Sequence, residues 1–254
     1  MGIKAIKGTG WKRDVPDERD YKFSLPEGIR AMALPEKVDL SPLMPEVWDQ
    51  GELGSCTANA IGAIMAYNNT KAKKRKYTPS RLFIYYNERE AEGTINEDSG
   101  AMLRTGLKTV NGLGVCLESM CPYKIAKFKN KPTGTAYKNG LLHKAVRYER
   151  LNQDLDTLKG CLASGEPFVF GFIVYSSFDN TGVNGIMPMP QPGEKEEGGH
   201  AICAVGYDDT DRTFLIRNSW GTEWGLKGHF KMPYDFVTDK NYCWDFWTVR
   251  SVTT

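Results

Sequence analysis

The sequence predicts an α+β protein: a helical part, then a strand-rich part, with a cleft between the two. Apolar residues recur at helical spacing from Cys56 to about Val110, and short runs of β-forming residues dominate from about Phe168 onward. A polar, proline-punctuated stretch, residues 1–33, precedes both. With 254 residues, 41% hydrophobic and 25% charged, the chain can fill one large domain or two small ones. Two unlike subdomains packed together leave a crevice of the kind ligands use.

Residues 1–33 read as an extension and not as a domain; "WKRDVPDERDYKF" is its most structured-looking part, anchored by Trp11, Tyr21 and Phe23. From Cys56, residues Ala60, Ile61, Ile64 and Met65 keep helical spacing with apolar neighbours on most faces, which predicts a buried helix. Thr78 and Pro79 offer an N-cap and a first-turn proline for a helix through "SRLFIYYNEREAEG", stopped by Gly93. A third helix is expected from about Ser99 to Val110, and a fourth from Asp154 to Ala163, ended by Gly165. Strands are expected at Phe168 to Tyr175, His200 to Tyr207, Thr213 to Asn218, Gly228 to Met232 and Phe246 to Val252. The prolines and glycines of "MPMPQPGEKEEGGH" predict a long loop before His200, and such loops often border sites.

Composition narrows the functions. A formal charge of +2 is too mild to imply a nucleic-acid or membrane partner, and the basic run Lys71 to Lys76 reads as a solvated loop after a helix. No apolar window approaches the roughly 18 residues of a spanning helix, and Met1 to Trp11 lacks the apolar core of a signal peptide. The six cysteines, 56, 116, 121, 161, 203 and 243, form no dense framework. Reduced thiols and a cytoplasmic setting are the default expectation, with export lacking a cleaved signal left open; the disulfide state of the last five stays open too. Cys116 and Cys121 have no nearby histidine and make a poor zinc site, while Cys161 and Cys203 read as core.

The segment "QGELGSCTANA" sets one cysteine between a glycine-rich turn and the first turn of a helix. A thiol attacks a carbonyl as thiolate, which a helix N-terminus and a nearby imidazolium favour. Of the three histidines, His200 follows Gly198 and Gly199 and opens an apolar strand, so its ring can project into a cleft; His143 and His229 have no comparable setting. Asn218, ending "TFLIRNSW", can orient the imidazole without adding a charge. The backbone N–H of Cys56 and the amide of Gln50 are candidate donors to a tetrahedral oxyanion. Each residue alone is weak evidence, since a single cysteine is more often buried packing. The order Gln, Cys, then His and Asn far downstream is what singles them out.

"DQGELGSCTANA", "GGHAICAVGYDD" and "RNSWGTEWGLKGHF" together resemble the three active-site signatures of the papain-like cysteine peptidases, and "ALPEKVDLSP" resembles the start of the mature family domain. The resemblance covers roughly Leu34 to Val252. It implies a two-subdomain fold: a mainly helical left part, about 34–150, and a β-barrel-like right part, about 151–254, flanking the active-site cleft. By position it makes Cys56 the nucleophile, His200 the base and later acid, Asn218 the orienting amide and Gln50 the oxyanion-hole side chain. Trp220 matches the indole covering the Asn–His hydrogen bond, whereas Trp224 reads as packing. Gly100 matches the glycine that pairs main chain with the substrate. Met102, Gly171 and Ala201 match the subsite for the second residue before the scissile bond, where an apolar side chain is then expected. A peptide or protein is the expected substrate, and no metal or cofactor is required.

The departures from the pattern are informative. Leu53 stands where most members have a half-cystine, Thr57 where they have tryptophan, and Gly199 where an acidic or polar residue is common. These features resemble the divergent bacterial and viral branch. Residues 1–33 lack the length and signature of the family's helical zymogen segment. They are expected either to lie along the cleft and regulate access, or only to pack on the surface through their aromatic anchors. Three other readings stand beside hydrolysis: a peptide ligase on the same site, a transglutaminase-like acyltransferase, against which Asn218 argues, and a non-catalytic peptide-binding relative.

Overall fold

A computed structural model describes residues 8–30, 33–73 and 77–253. Part of the extension (residues 1–7 and 31–32) and part of the basic run (residues 74–76) lie outside the described residues, and with residues 1–7 most of the stretch from Met1 to Trp11 expected to lack a signal peptide. The elements in chain order are β1 (Trp11–Lys12), α1 (Glu27–Arg30), β2 (Lys37–Asp39), α2 (Cys56–Lys71), α3 (Arg81–Ala91), β3 (Ala101–Met102), α4 (Leu103–Gly112), α5 (Gly134–Gly140) and β4 (Ala145–Arg150). They continue with α6 (Leu155–Ala163), β5 (Phe168–Tyr175), α7 (Phe178–Asn184), β6 (Glu196–Asp208), β7 (Thr213–Arg217), β8 (His229–Pro233), α8 (Tyr234–Thr238) and β9 (Cys243–Val252).

The helical half follows the apolar pattern closely. Helix α2 is buried continuously from Cys56 to Asn69, which accounts for apolar residues on most of its faces. Helix α3 is capped by Ser80, whose side chain accepts from the Phe83 N–H, and not by Thr78; Pro79 instead bridges to Leu117. Helix α4 starts at Leu103, four residues later than expected from Ser99, because Ala101 and Met102 are drawn into β3 by pairing with β1 of the extension. Asp154 caps α6, accepting from the Thr157 N–H at 2.8 Å.

The second half is one sheet in the order β4-β9-β5-β6-β7-β8, with β2 added on β6. Strand alternation divides the core in two. Phe168, Phe170, Phe172 and Val174 of β5 join Ile202 and Ala204 of β6 in an aromatic-rich layer. Val169 of β5 and Ala201, Cys203 and Val205 of β6 face the opposite way, onto α2 and Trp247. This second face is where the helical part meets the sheet.

The α+β expectation holds, and the right-hand part is β-rich, but its sheet does not close into a barrel. The ends of its path, β4 and β8, are not paired with each other. The free edge of β4 is instead taken by the extension, with Phe23 N–H donating to Arg150 O at 2.8 Å and Arg150 N–H to Tyr21 O at 2.7 Å. Strand β6 begins at Glu196, so the expected loop before His200 is shorter than its composition suggested. Strand β4 escaped the sequence reading because bulges break its alternation. All six cysteines are free, and no helix among the described residues is long and apolar enough to cross a membrane.

Candidate active site

Cys56 is the first residue of α2, preceded by Ser55 at the cap position, and is fully buried. The turn before it is held from several sides. Gln50 N–H donates to Ser219 O at 2.8 Å, and Ser219 Oγ donates to Gln50 Oε1 at 2.6 Å. The other end of the amide faces two carbonyls, which can only accept, so it is Nε2, donating to Leu53 O at 2.8 Å and to Gly8 O at 2.9 Å. Asp98 accepts from the Gly54 N–H with both oxygens, at 3.1 and 3.0 Å, and also from the Tyr85 hydroxyl. Tyr123 donates to Gln50 O at 2.8 Å and shares a 2.5 Å bond with Ser55 Oγ. Leu53 is buried in the core, so the turn is closed by packing and hydrogen bonds where a disulfide was missing from the sequence.

His200 lies within β6 and Asn218 directly follows the neighbouring β7, with the ring Nε2 and Asn218 Oδ1 2.8 Å apart. Asn218 Oδ1 also accepts from the Ser219 N–H at 2.8 Å, which fixes the amide so that its oxygen faces the ring. The ring N–H therefore lies on Nε2, and Nδ1 is left without a partner among the described residues. Trp220 packs on the imidazole with ring centroids 4.8 Å apart and is itself buried. Trp224 lies in the aromatic layer against Phe178, Trp220 and Phe230, as expected of packing.

The cleft is not open. Gly10 of the extension lies over Cys56, whose sulfur accepts from the N–H groups of Ala201, Gly10 and Thr57. Burial dominates and pushes the thiol up to about 12; it pushes His200 down to about 4, with the Asn218 bond opposing. Thiol and imidazole are thus both neutral in this covered form. Ala101 N–H donates to Gly10 O at 2.8 Å, and at Gly100, whose φ is +66°, a Cβ would overlap that same carbonyl. The Trp11 ring lies where Cβ atoms at Gly171 and Gly199 would be, and stacks on Trp244 at 6.1 Å with an 18° tilt. Of the residues expected in that subsite, Gly171 and buried Ala201 lie on the Trp11 wall. Met102 sits across from it beside Lys12 in the β1–β3 pair and lines a groove with Val15, Arg104 and Lys108.

Three groups were not anticipated. Ser219 orients both amides, and Asp98 ties down the turn at Gly54. Glu88 of α3 is fully buried, accepts from the hydroxyl of Thr57 at 2.9 Å and is pushed up to about 8 by burial. The hydroxyl of Thr57, which stands where the family pattern has tryptophan, explains why a carboxyl can sit there. Among the described residues no cluster of acidic, histidine or cysteine side chains is arranged to hold a metal ion.

Residues 34–244 match the model of the papain family of cysteine proteases. The chain belongs to this family. It is 45% identical to an uncharacterized peptidase C1-like protein of Acanthamoeba polyphaga mimivirus, a match spanning 98% of this chain and 86% of the other. Its fold superposes on xylellain, a cysteine protease from Xylella fastidiosa, with a TM-score of 0.91, 42% identity and 99% of each chain covered. Procathepsin B of Trypanosoma congolense shares the fold alone, at TM-score 0.76 and 16% identity over 97% of this chain and 87% of that one. The viral and bacterial relatives agree with the branch expected from Leu53, Thr57 and Gly199. As a papain-family cysteine peptidase the protein is a hydrolase, and its substrates are peptides or proteins.

Proposed function

We propose that the protein is a cysteine endopeptidase acting through a Cys56 thioester, with His200 as base and then acid and Asn218 orienting it. Once the cleft is open, water and substrate dipoles relieve the desolvation of Cys56 and His200, and the thiol proton passes to Nδ1. The thiolate attacks the carbonyl carbon of the scissile bond. Gln50 Nε2 and the Cys56 N–H donate to the oxyanion, and the imidazolium protonates the leaving amine. A water deprotonated by the same nitrogen then hydrolyses the thioester and regenerates the thiol. The observation that carries this reading is the His200 Nε2–Asn218 Oδ1 bond, which leaves Nδ1 unpartnered, while the N–H of the next residue, Ala201, is directed at the sulfur of Cys56 at the helix N-terminus. Stoichiometric labelling of Cys56 by a peptidyl epoxide, with the other five cysteines spared, tests it; indiscriminate labelling would count against it.

The same reading takes residues 34–254 as the peptidase domain and residues 1–33 as its regulator. Gly8 O occupies the Gln50 donor, Gly10 N–H faces the sulfur and Trp11 fills the apolar subsite. In a substrate the residue in that subsite precedes the one over the nucleophile; here Trp11 follows Gly10. The extension therefore runs backwards and presents an N–H, not a carbonyl carbon, to Cys56. Full-length protein should turn over a short peptide slowly and a variant lacking residues 2–33 faster. Equal rates, with both forms folded, would remove the regulatory role. An apolar residue is preferred in the subsite lined by Gly171 and Ala201, which Trp11 now fills; Met102 lies on the opposite side, with Lys12.

A further inference from the structure

The extension touches the cleft with more than its backbone, and its side chains sample the walls a substrate would meet. Trp11 and Lys12 are consecutive in β1, so their side chains point to opposite sides. Trp11 turns to the sheet wall, into the space left by Gly171 and Gly199 and against Trp244. Lys12 turns to the helical wall, where its Nζ lies 3.3 Å from Glu92 Oε2. Glu92 follows the last turn of α3, and its other oxygen accepts from the Met102 N–H at 2.9 Å, so the carboxylate is held in place. Its side chain is only 8% exposed. The next residue, Arg13, lays its guanidinium over the Trp244 ring at 4.4 Å.

Side-chain spacing along an extended strand is the same read in either direction. A substrate running opposite to the extension along Gly100–Met102 therefore offers its second and third residues before the cut to the walls now occupied by Trp11 and Lys12. We propose that Glu92 and Trp244 are specificity-determining residues that select peptides with a lysine or arginine immediately before a large aromatic residue, the aromatic being the second residue before the scissile bond. This rests on the reading of the cleft as a peptidase site covered by a reversed segment. It adds a cation-selecting wall to the apolar subsite, and an aromatic floor that favours tryptophan or phenylalanine over a smaller apolar residue.

The test uses the full chain carrying W11A and K12A, which vacate both positions, and internally quenched peptides that differ only at these two residues. Lys-Trp should exceed Gln-Trp in kcat/KM by about fivefold at low salt, the upper range of a partly exposed ion pair. Lys-Trp should exceed Lys-Ala by more than about tenfold, from burial and stacking of the indole. Adding E92Q, which keeps the acceptor for Met102 N–H, should bring the Lys-to-Gln ratio to near one, and adding W244A should shrink the Trp-to-Ala ratio. Equal cleavage of Lys-Trp, Glu-Trp and Lys-Ala peptides by a variant whose Cys56 labels stoichiometrically would overturn the inference alone. No cleavage of any peptide together with no labelling of Cys56 would remove the peptidase reading and the inference with it.

Discussion

The main-chain N–H of Asp14 donates to Oδ2 of Asp245 at 2.8 Å, setting two buried carboxyl groups side by side where the extension meets β9. Asp14 Oδ1 accepts from the Arg104 N–H at 3.0 Å and Oδ2 from Trp247 Nε1 at 2.9 Å. Arg150 reaches Asp245 at 3.1 Å and Asp20 at 3.4 Å, while Arg104 pairs with Asp20. Burial first, and then the charge of Asp245, push Asp14 up to about 6 from the 3.8 of an isolated aspartate.

That shift fixes a pH dependence for the docked extension. Asp14 holds a proton more tightly when docked than when free, so its contribution to docking is fully present below about 3.8 and is lost as pH rises through about 6. Epoxide labelling of Cys56 in the full chain should accelerate between pH 5 and pH 7.5, by a factor on the order of ten. D245N removes the neighbouring charge and should flatten that rise relative to the pH response of the variant lacking residues 2–33. A rise of equal steepness in D245N would rule out the carboxyl pair as its cause.

Glu88 gives a second pH signature, in stability. Its pKa is raised from 4.5 to about 8 in the folded chain, so its contribution is fully present below 4.5 and declines as pH rises through 8. E88Q keeps a hydrogen-bonding partner for Thr57 and cannot ionise. The melting temperature of E88Q minus that of the wild type should therefore grow from pH 5 to pH 8.5. E88A should cost about 2–4 kcal/mol at pH 5, since it opens a cavity and orphans the Thr57 hydroxyl, and less as pH rises through 8.

Gly171 is the floor under Trp11, and G171V places a side chain where the indole lies. The variant should expel the front of the extension, so that trypsin cuts at Lys12 or Arg13 at least several times faster than in the wild type. Unchanged proteolysis would mean that Trp11 contributes little to docking.

For the chemistry, C56A should abolish turnover and C56S nearly do so, in the full chain or without the extension. Q50A removes one oxyanion donor and should lower kcat by about 10²-fold with little change in KM, measured on the form lacking residues 2–33. Robust turnover by C56A would refute the assignment of the nucleophile.

The candidate site residues are legible because their types are scarce and their surroundings distinctive: one cysteine opening an apolar helix, and one histidine after a glycine pair and before an apolar run. What escaped works through tertiary hydrogen bonds that leave no periodic trace. Ser219 holds Gln50 from 169 positions away, and Glu88 meets Thr57 from 31 away. Helix α4 starts later than its sequence predicts because Ala101 and Met102 have a strand partner in the extension, which local propensity cannot reveal. The covering itself depends on glycine meeting glycine, since a Cβ at Gly10 would overlap Gly54 O. In sequence such positions suggest only a pliable turn, whereas in space they allow two backbones to touch.

The bond from Gln50 to Gly8 O also has a consequence for how the protein behaves in solution. Gly8 O is tethered to the enzyme it covers, so its effective concentration is set by the connecting chain, in the millimolar range for a short flexible link, and not by how much protein is present. Diluting the protein should leave the covered fraction of Cys56 unchanged. A free peptide copying residues 8–23 should have to approach millimolar levels before it can exchange with the resident segment.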